Sequence, residues 1–430
     1  MLKKSNQSKK PGRPAGKTLS ETESYFGPPP PKNGRLIGVD CHPDTFTAAV
    51  FVGQTVHEAR KVGRRDNLSL SALLAWAVQE CGPQDLFLLE AGSNSFEVCD
   101  RLRALDRRAV VLESGYVGHH AKSYADNDRM AAARIALVYL GNKVPCVWVP
   151  DARTRERREL LHAYLKAVAD DTAAGNSLKG YLTTQGIRPG KRSLALESTR
   201  AWVTRQRAWT NLQNQLLEDY FTVLAESAAR RQRLRRLIAQ ELSGEALMLR
   251  SLKLLGIGMI NAFALLAIIG DVRRFERPEK LVAYLGLNPG QRDSGTDKHV
   301  KIGIGRRGRG DLRHLLIQGA HAILRMGKAT ALGQWGWKLF ARKGSRNVAV
   351  AAVARKLAVQ AWHLLRGNPP TLLDADKSLT LKLHKLAVIL GGALREKLGL
   401  GSSIAECVQL LQNRIRQTGD QPSAESPQPA

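Results

Sequence analysis

Two short, almost wholly apolar runs each end in a carboxylate: Leu36-Ile37-Gly38-Val39-Asp40 and Leu86-Phe87-Leu88-Leu89-Glu90. Runs of this length and composition read as strands, and two of them side by side would bring Asp40 and Glu90 together at one end. The surrounding pattern predicts a strand from Thr45 to Val52, helices near Leu68 to Glu80 and Glu97 to Leu105, a strand from Ala109 to Glu113, and a helix over residues 127–141. Residues 35–150 therefore predict an α/β domain. The last helix carries Asp128, and position 131, three residues on and sharing its face, carries alanine. A carboxylate at each position would hold a cation jointly; here one of the two is missing.

The charge balance narrows the partner. Lysine and arginine number 66 against 38 aspartates and glutamates in 430 residues, a formal net charge of +28 with an isoelectric point near 10.3. That is the footprint of a protein that works on a polyanion, nucleic acid first. The basic residues recur in every region and do not form one amphipathic face opposite Trp and Phe, which argues against a membrane surface. Five cysteines, an odd number with no C-x-x-C pair, argue against a disulfide framework or a zinc module and for reduced thiols. No apolar segment follows Lys3 and Lys4, and the stretch from Leu254 to Gly270 is too short and interrupted to span a bilayer. The expectation is a cytoplasmic, nucleoid-associated protein with no membrane contact.

Residues 1–34 read as a disordered basic arm. Within it, Lys9-Lys10-Pro11-Gly12-Arg13-Pro14 is either a solvated tail or an AT-hook-like segment that lays Arg13 into a narrow minor groove. Residues 151–244 predict long charged helices packed as an antiparallel or intermolecular coiled coil. Residues 245–400 form a third, mostly helical region, and 401–430 a final helix and polar tail.

Three constellations carry chemistry. Asp40, Glu90 and Asp128 can offer oxygen ligands to Mg²⁺ for phosphoryl transfer, although strand-terminal acids also serve as caps and turn formers. Gln291-Arg292-Asp293-Ser294-Gly295-Thr296 is followed by Lys298, Lys301, Arg306, Arg307, Arg309 and Arg313. Ser294 there is either a turn residue or an oxygen nucleophile whose pentacoordinate phosphorus the cations would neutralise, with His299 as a nearby base or phosphate contact. Gly256 and Gly258, before the apolar segment Met259 to Ile269, either expose backbone N–H groups to a phosphate or make a tight turn between packed helices. Trp335 and Trp337 could stack on bases or sit in a helical core.

The element order of residues 35–150 fits an RNase H-like domain, and together the motifs carry a specific resemblance. Ile37-Gly38-Val39-Asp40, Leu88-Leu89-Glu90-Ala91-Gly92, Asn127-Asp128-Arg129-Met130-Ala131, Gly270-Asp271-Val272-Arg273-Arg274-Phe275, Ala283-Tyr284-Leu285-Gly286-Leu287-Asn288-Pro289, Asp293-Ser294-Gly295 and Ile304-Gly305-Arg306-Arg307-Gly308 resemble the DEDD transposases of the insertion sequence 110/1111 group, Piv-like recombinases guided by a bridge RNA. The resemblance implies a RuvC-like domain, a coiled-coil spacer and a C-terminal transposase domain. It further implies Mg²⁺ on Asp40, Glu90 and Asp128, a covalent phosphoserine at Ser294, and as partners donor and target DNA, a structured non-coding guide RNA and a second or further copy of the chain in a homo-dimer or homo-tetramer. The family pattern has aspartate where this chain has Ala131, which implies a weakened or inactive metal site. A DNA invertase or Holliday-junction nuclease without guide RNA, and a catalytically silent nucleic-acid-binding derivative, are the alternatives.

Overall fold

The computed structural model describes residues 27–119, 128–141, 144–294, 297–305, 307–368, 371 and 376–417, with backbone alone for 119, 291–294, 297–302 and 328. The chain divides into two compact units, residues 1–150 and 151–430. Arg13 and Arg306 lie outside the described residues.

The first unit is built on a six-stranded sheet of order β3-β2-β1-β4-β5-β6. Its strands are β1 (Leu36–Cys41), β2 (Phe46–Val52), β3 (Arg60–Leu68), β4 (Leu86–Glu90), β5 (Arg108–Leu112) and β6 (Cys146–Val147). β1 pairs antiparallel with β2 and parallel with β4, and β4 pairs parallel with β5. The apolar runs seen in the sequence are continuous because both faces of the sheet are covered. On one face, Ile37, Val39, Phe87 and Leu89 pack with helices α1 (Leu70–Gln79) and α2 (Ser95–Ala104). On the other, Leu36, Leu86, Leu88 and Leu112 meet Val117 of α3 (Ser114–His119) and Ala132, Ile135 and Ala136 of α4 (Asp128–Gly141).

β3 was not expected. Its sequence, RKVGRRDNL, has no apolar face to betray it, and six of its nine positions are exposed and the other three half-buried in a strand at the sheet's edge. A strand whose outer rim is free has little to bury, and a row of arginines there discourages a foreign strand from pairing.

The start of β1 is tied to the start of β4 by one ion pair. Arg35 donates to Asp85 from its backbone N–H at 2.7 Å and from its guanidinium at 3.1 and 2.6 Å, and Gly82 N–H adds a bond at 2.9 Å. Burial pushes the Asp85 carboxyl up, but these hydrogen bonds outweigh it and hold the group below the usual carboxylate range.

The second unit begins with a helical hairpin: α5 (Ala152–Thr184), the short α6 (Glu197–Thr204) and α7 (Asn211–Gly244). Asp151 caps α5 through Thr154 N–H, and Thr210 and Gln213 form a capping box at the start of α7. The two long helices run antiparallel within one chain: Arg157 reaches Glu241 and Glu245 at one end, Arg230 reaches Asp170 midway, and Tyr181 contacts Gln213 at the other. At the far end Leu178, Leu182, Val203, Leu217 and Phe221 make a small core of their own, while Leu161, Ile238 and Leu242 merge into the main helical core.

That main core is shared by α8 (Ala246–Ser251), α9 (Met259–Ile269), α10 (Pro278–Tyr284), α11 (Gly310–Met326), α12 (Ala331–Lys343), α13 (Arg346–Leu365), α14 (Asp376–Leu390), α15 (Gly392–Lys397) and α16 (Ile404–Gln417). α13 is long and apolar enough to cross a membrane by length and composition, but half of it is buried and it serves as a core helix through Val353, Leu357 and Ala361. A hairpin, β7 (Pro289–Ser294) and β8 (Asp297–Ile304), stands between α10 and α11.

Asp85→Ala should destabilise the first unit by about 2–4 kcal/mol, since it leaves Arg35 and two backbone donors without their acceptor. A carboxyl with a depressed folded pKa stabilises above its unfolded pKa of about 3.9, and that contribution is lost as pH falls through the lower folded value. Urea denaturation should therefore show the gap between wild type and variant at pH 7 and its narrowing below about pH 4.

Candidate metal centre and nucleophile hairpin

Side chains alternate along a strand, so β1 residues 36, 38 and 40 share one face. Leu36 packs on the α4 side, and a Cβ on Gly38 would collide with the backbone carbonyl of Ala132. α4 thus lies directly on β1 at Gly38. One helical turn before Ala132 comes Asp128, and two residues after Gly38 comes Asp40, so the packing of a glycine against a helix backbone sets one acid over the other. Leu86 and Leu88 face the same way on β4, and Glu90 continues their parity one step beyond the Val39–Leu89 register pair.

The structure joins Asp40 and Asp128 through a residue that the sequence reading passed over. His42 Nε2 lies 3.4 Å from Asp40 Oδ2 and 3.2 Å from Asp128 Oδ1. One ligand atom from each of the three can be chosen so that all lie within 4.8 Å of one another, a spacing that a single divalent cation can bridge. Glu90 stands at the end of the adjacent strand, outside this tight cluster. His42 is two residues from Asp40, and the turn behind it is pinned by His42 N–H to the Thr45 carbonyl and by Asn94 Nδ2 to the His42 carbonyl. Its spacing of two from Asp40 is its signal in the sequence.

Burial, chiefly, raises the Asp40 carboxyl above its ordinary pKa; His42 opposes that and Asp128 adds to it. Ala131 is half-buried one turn along the face that carries Asp128, beside the fully buried Ala132. Two carboxylates and an imidazole form a mixed oxygen and nitrogen donor set, which suits Mn²⁺ better than an all-oxygen set suited to Mg²⁺.

In the second unit, Ser294 is the last residue of β7 and is paired in register with Asp297 across the hairpin. The side chains of Arg292, Lys298, His299 and Lys301 lie outside the described residues. Arg307 is exposed. Arg309 and Arg313 are held by the protein itself: Arg309 forks onto Asp311 at 3.2 and 2.6 Å, and Arg313 donates to the Arg307 carbonyl at 2.7 Å and the Leu285 carbonyl at 3.3 Å. These two brace the base of the hairpin, where Gly286 and Gly308 meet backbone to backbone with positive φ.

Gly258 caps α9, and Gly256 has a packing reason to be glycine: φ is +74° and a Cβ would sit 2.9 Å from the Gly319 carbonyl of α11. Trp335 is half-buried against the main core with Lys356 over its ring, whereas Trp337 is 43% exposed and donates its indole N–H to the Leu324 carbonyl. All five cysteines are free.

The fold and site define an α/β unit with a carboxylate–imidazole cluster beyond the ends of its parallel strands, attached to a helical unit that carries a basic hairpin. Residues 249–333, which include that hairpin, match the family described as Transposase IS116/IS110/IS902 family. A putative transposase y4qE of Sinorhizobium fredii is 27% identical over 65% of this chain and 75% of its own length. A probable family 20 transposase of Pseudomonas aeruginosa is 29% identical over 66% and 84%, and the transposase for insertion sequence element IS1111A of Coxiella burnetii is 41% identical over 26% and 30%. Over these stretches the chain is similar to transposases of the IS116/IS110/IS902 family, which supports an enzyme of the DNA transposase class.

Replacing His42 by Ala should weaken Mn²⁺ binding by at least roughly tenfold, the smaller end of the loss seen for metal-site partners, in a calorimetric titration. A carboxyl whose folded pKa is raised costs stability while ionised, and the cost vanishes as pH falls through that value. Asp40→Asn should accordingly raise the melting temperature of the metal-free protein at neutral pH, with the difference closing on acidification.

Proposed function

We propose that this chain is the recombinase of an insertion sequence. It cleaves and rejoins donor and target DNA with Ser294 as nucleophile and a divalent cation on Asp40, His42 and Asp128, with Glu90 as a further ligand. The observation that carries the reading is the Asp40–His42–Asp128 cluster in a chain similar to these transposases. The finer parts of the reading are a RuvC-like first domain, a coiled-coil spacer over 151–244, a transposase domain over 245–400 and a structured guide RNA as partner. They rest on the motif resemblance, with the sheet order and the charge of +28 as support.

In this reading the Ser294 hydroxyl attacks a phosphodiester, its proton leaves to a base, and the displaced 3′ oxygen departs as a hydroxyl while phosphorus stays on the serine. A second DNA hydroxyl then displaces the serine, so the bond count is unchanged and no external energy is needed. A bound divalent cation would polarise the phosphate and offset the charge that builds on its oxygens. Asp40 and Asp128 would hold that cation, His42 would fix their separation and add a nitrogen ligand, and exposed cations such as Arg307 would orient the backbone. Ala131 leaves the site one carboxylate short, which would weaken Mg²⁺ use most.

Ser294→Ala should abolish strand cleavage and any covalent protein–DNA adduct while DNA binding changes less than about twofold, because only the attacking oxygen is removed. An adduct that persists and maps elsewhere would remove Ser294 from the mechanism. Ala131→Asp should increase Mg²⁺-dependent joining of donor and target DNA, measured by counting joined products; equal joining in both forms would show that position 131 is not a ligand position here.

A further inference from the structure

β3 carries an acid that its own strand does not need. Arg64 is the register partner of Ala49, which packs on the α4 face of the sheet, and alternation puts Asp66 on that face too. One extra residue follows between Arg65 and Leu68, with Asn67 at φ 54°, making a β-bulge opposite Thr47. Thr47 is in turn the register partner of Asp40, so Asp66 stands two strands from Asp40 on the same face, about 10 Å across the sheet.

Asp66 Oδ2 holds two guanidiniums: Arg64 Nε of its own strand at 3.0 Å and Arg129 Nε of the first turn of α4 at 3.2 Å. Its Oδ1 is buried and makes no hydrogen bond. A buried carboxylate oxygen without a donor costs stability, so folding alone gives no reason for an acid here. What the acid does is gather charge. Two cations on one anion leave the trio at +1, the charge that one phosphodiester cancels. Both guanidiniums are gripped at Nε, which leaves the two Nη groups at the end of each fork for another anion. Neither arginine has an ion-pair partner besides Asp66 among the described residues, and their side chains are 40% and 60% exposed.

The place of the pair decides which phosphate it meets. Arg129 follows Asp128 and is turned about 100° from it, towards β3, whereas position 131 lies about 60° to the other side. The arginines therefore do not replace the missing carboxylate; they flank the metal cluster on the side away from it. A DNA strand with one phosphate at the cluster would lay a neighbouring phosphate at this pair.

We infer that Arg64 and Arg129, aimed by Asp66, form a binding subsite for a DNA backbone phosphate adjacent to the one at the metal cluster. The inference rests on the proposed reading of that cluster as the place of strand cleavage. The two arginines touch the substrate, and Asp66 acts through them as a positioning residue. Phosphate carries no base identity, so the subsite sets the register of the strand and not its sequence.

The test measures binding of a fluorescein-labelled DNA duplex to the full-length protein, stripped of nucleic acid at high salt. EDTA is present and Ser294→Ala is the background, so neither metal nor cleavage enters. Arg64→Ala and Arg129→Ala should each lower the slope of log affinity against log salt by about one, for every sequence alike. Their thermal melts should not change, because both side chains are exposed. Asp66→Asn separates aiming from simple charge. It removes a negative charge, which by itself tightens binding to a polyanion; the subsite predicts severalfold weaker binding, with no further loss when the change is added to Arg64→Ala/Arg129→Ala. An iron chelate tethered through Met130→Cys, a neighbour of Arg129 that is 43% exposed, should cut the bound duplex, and the double arginine variant should lose that cutting. Unchanged salt slopes, tighter binding in Asp66→Asn, or no cutting from position 130 would each overturn the subsite. Failure of the proposed reaction shows elsewhere, as no Mn²⁺ at the cluster or an adduct away from Ser294, with these binding results unchanged.

Discussion

The contact between Gly38 and the backbone of α4 is the constraint on which the candidate site depends. No side chain other than hydrogen fits between β1 and the Ala132 carbonyl, so the backbone of α4 lies directly against the strand there. That proximity is what lets Asp128, at the first turn of α4, approach Asp40 at the end of β1 with His42 between them. Ala132 and Ala136, both fully buried, are small for the same reason. The apolar residues on either side of the sheet supply the stability, and the glycine and alanines supply the geometry.

The second unit is governed by buried arginines rather than by close backbone packing alone. Arg157, nearly buried, ties α5 to the end of α7 through Glu241 and Glu245. Arg158 donates to the Ala267 and Ile268 carbonyls and Arg274 to the Ile269 carbonyl, so two guanidiniums satisfy the last turn of α9. Burial lowers the pKa of both arginines, a cost offset by those carbonyls and by the ring of Tyr284 under Arg274. The hairpin of β7 and β8 is thus mounted on a base that is fixed by Arg309, Arg313 and the Gly286–Gly308 contact.

Much of this was legible in the sequence, and the gaps have physical causes. β1 and β4 announced themselves because strands covered on both faces must be apolar throughout. α4 and α9 fell where the pattern put them, with Asp128 and Met259 as their first described residues. β3 hid because an edge strand needs no buried face, and its arginines resemble those of a loop. His42 lies one residue beyond β1, in the turn its own N–H closes on the Thr45 carbonyl, so its only signal in the sequence was its spacing of two from Asp40. Gly256 read equally well as a phosphate contact or a tight turn, and only the proximity of α11 supplied the packing reason. That α5 and α7 pair within one chain could not be read from their heptads, because the repeat marks a packed face without saying whether its partner lies in the same chain or another.

The central claim is that Asp40, His42 and Asp128 hold one divalent cation. Pulsed electron paramagnetic resonance of Mn²⁺ added to the purified protein tests it directly, because a coordinated imidazole imprints ¹⁴N modulation on the electron spin echo. The account predicts one tightly bound Mn²⁺ whose nitrogen modulation disappears in His42→Gln and whose binding collapses in Asp40→Asn or Asp128→Asn. Tight Mn²⁺ binding with no nitrogen modulation, or binding that survives loss of both aspartates, would contradict it.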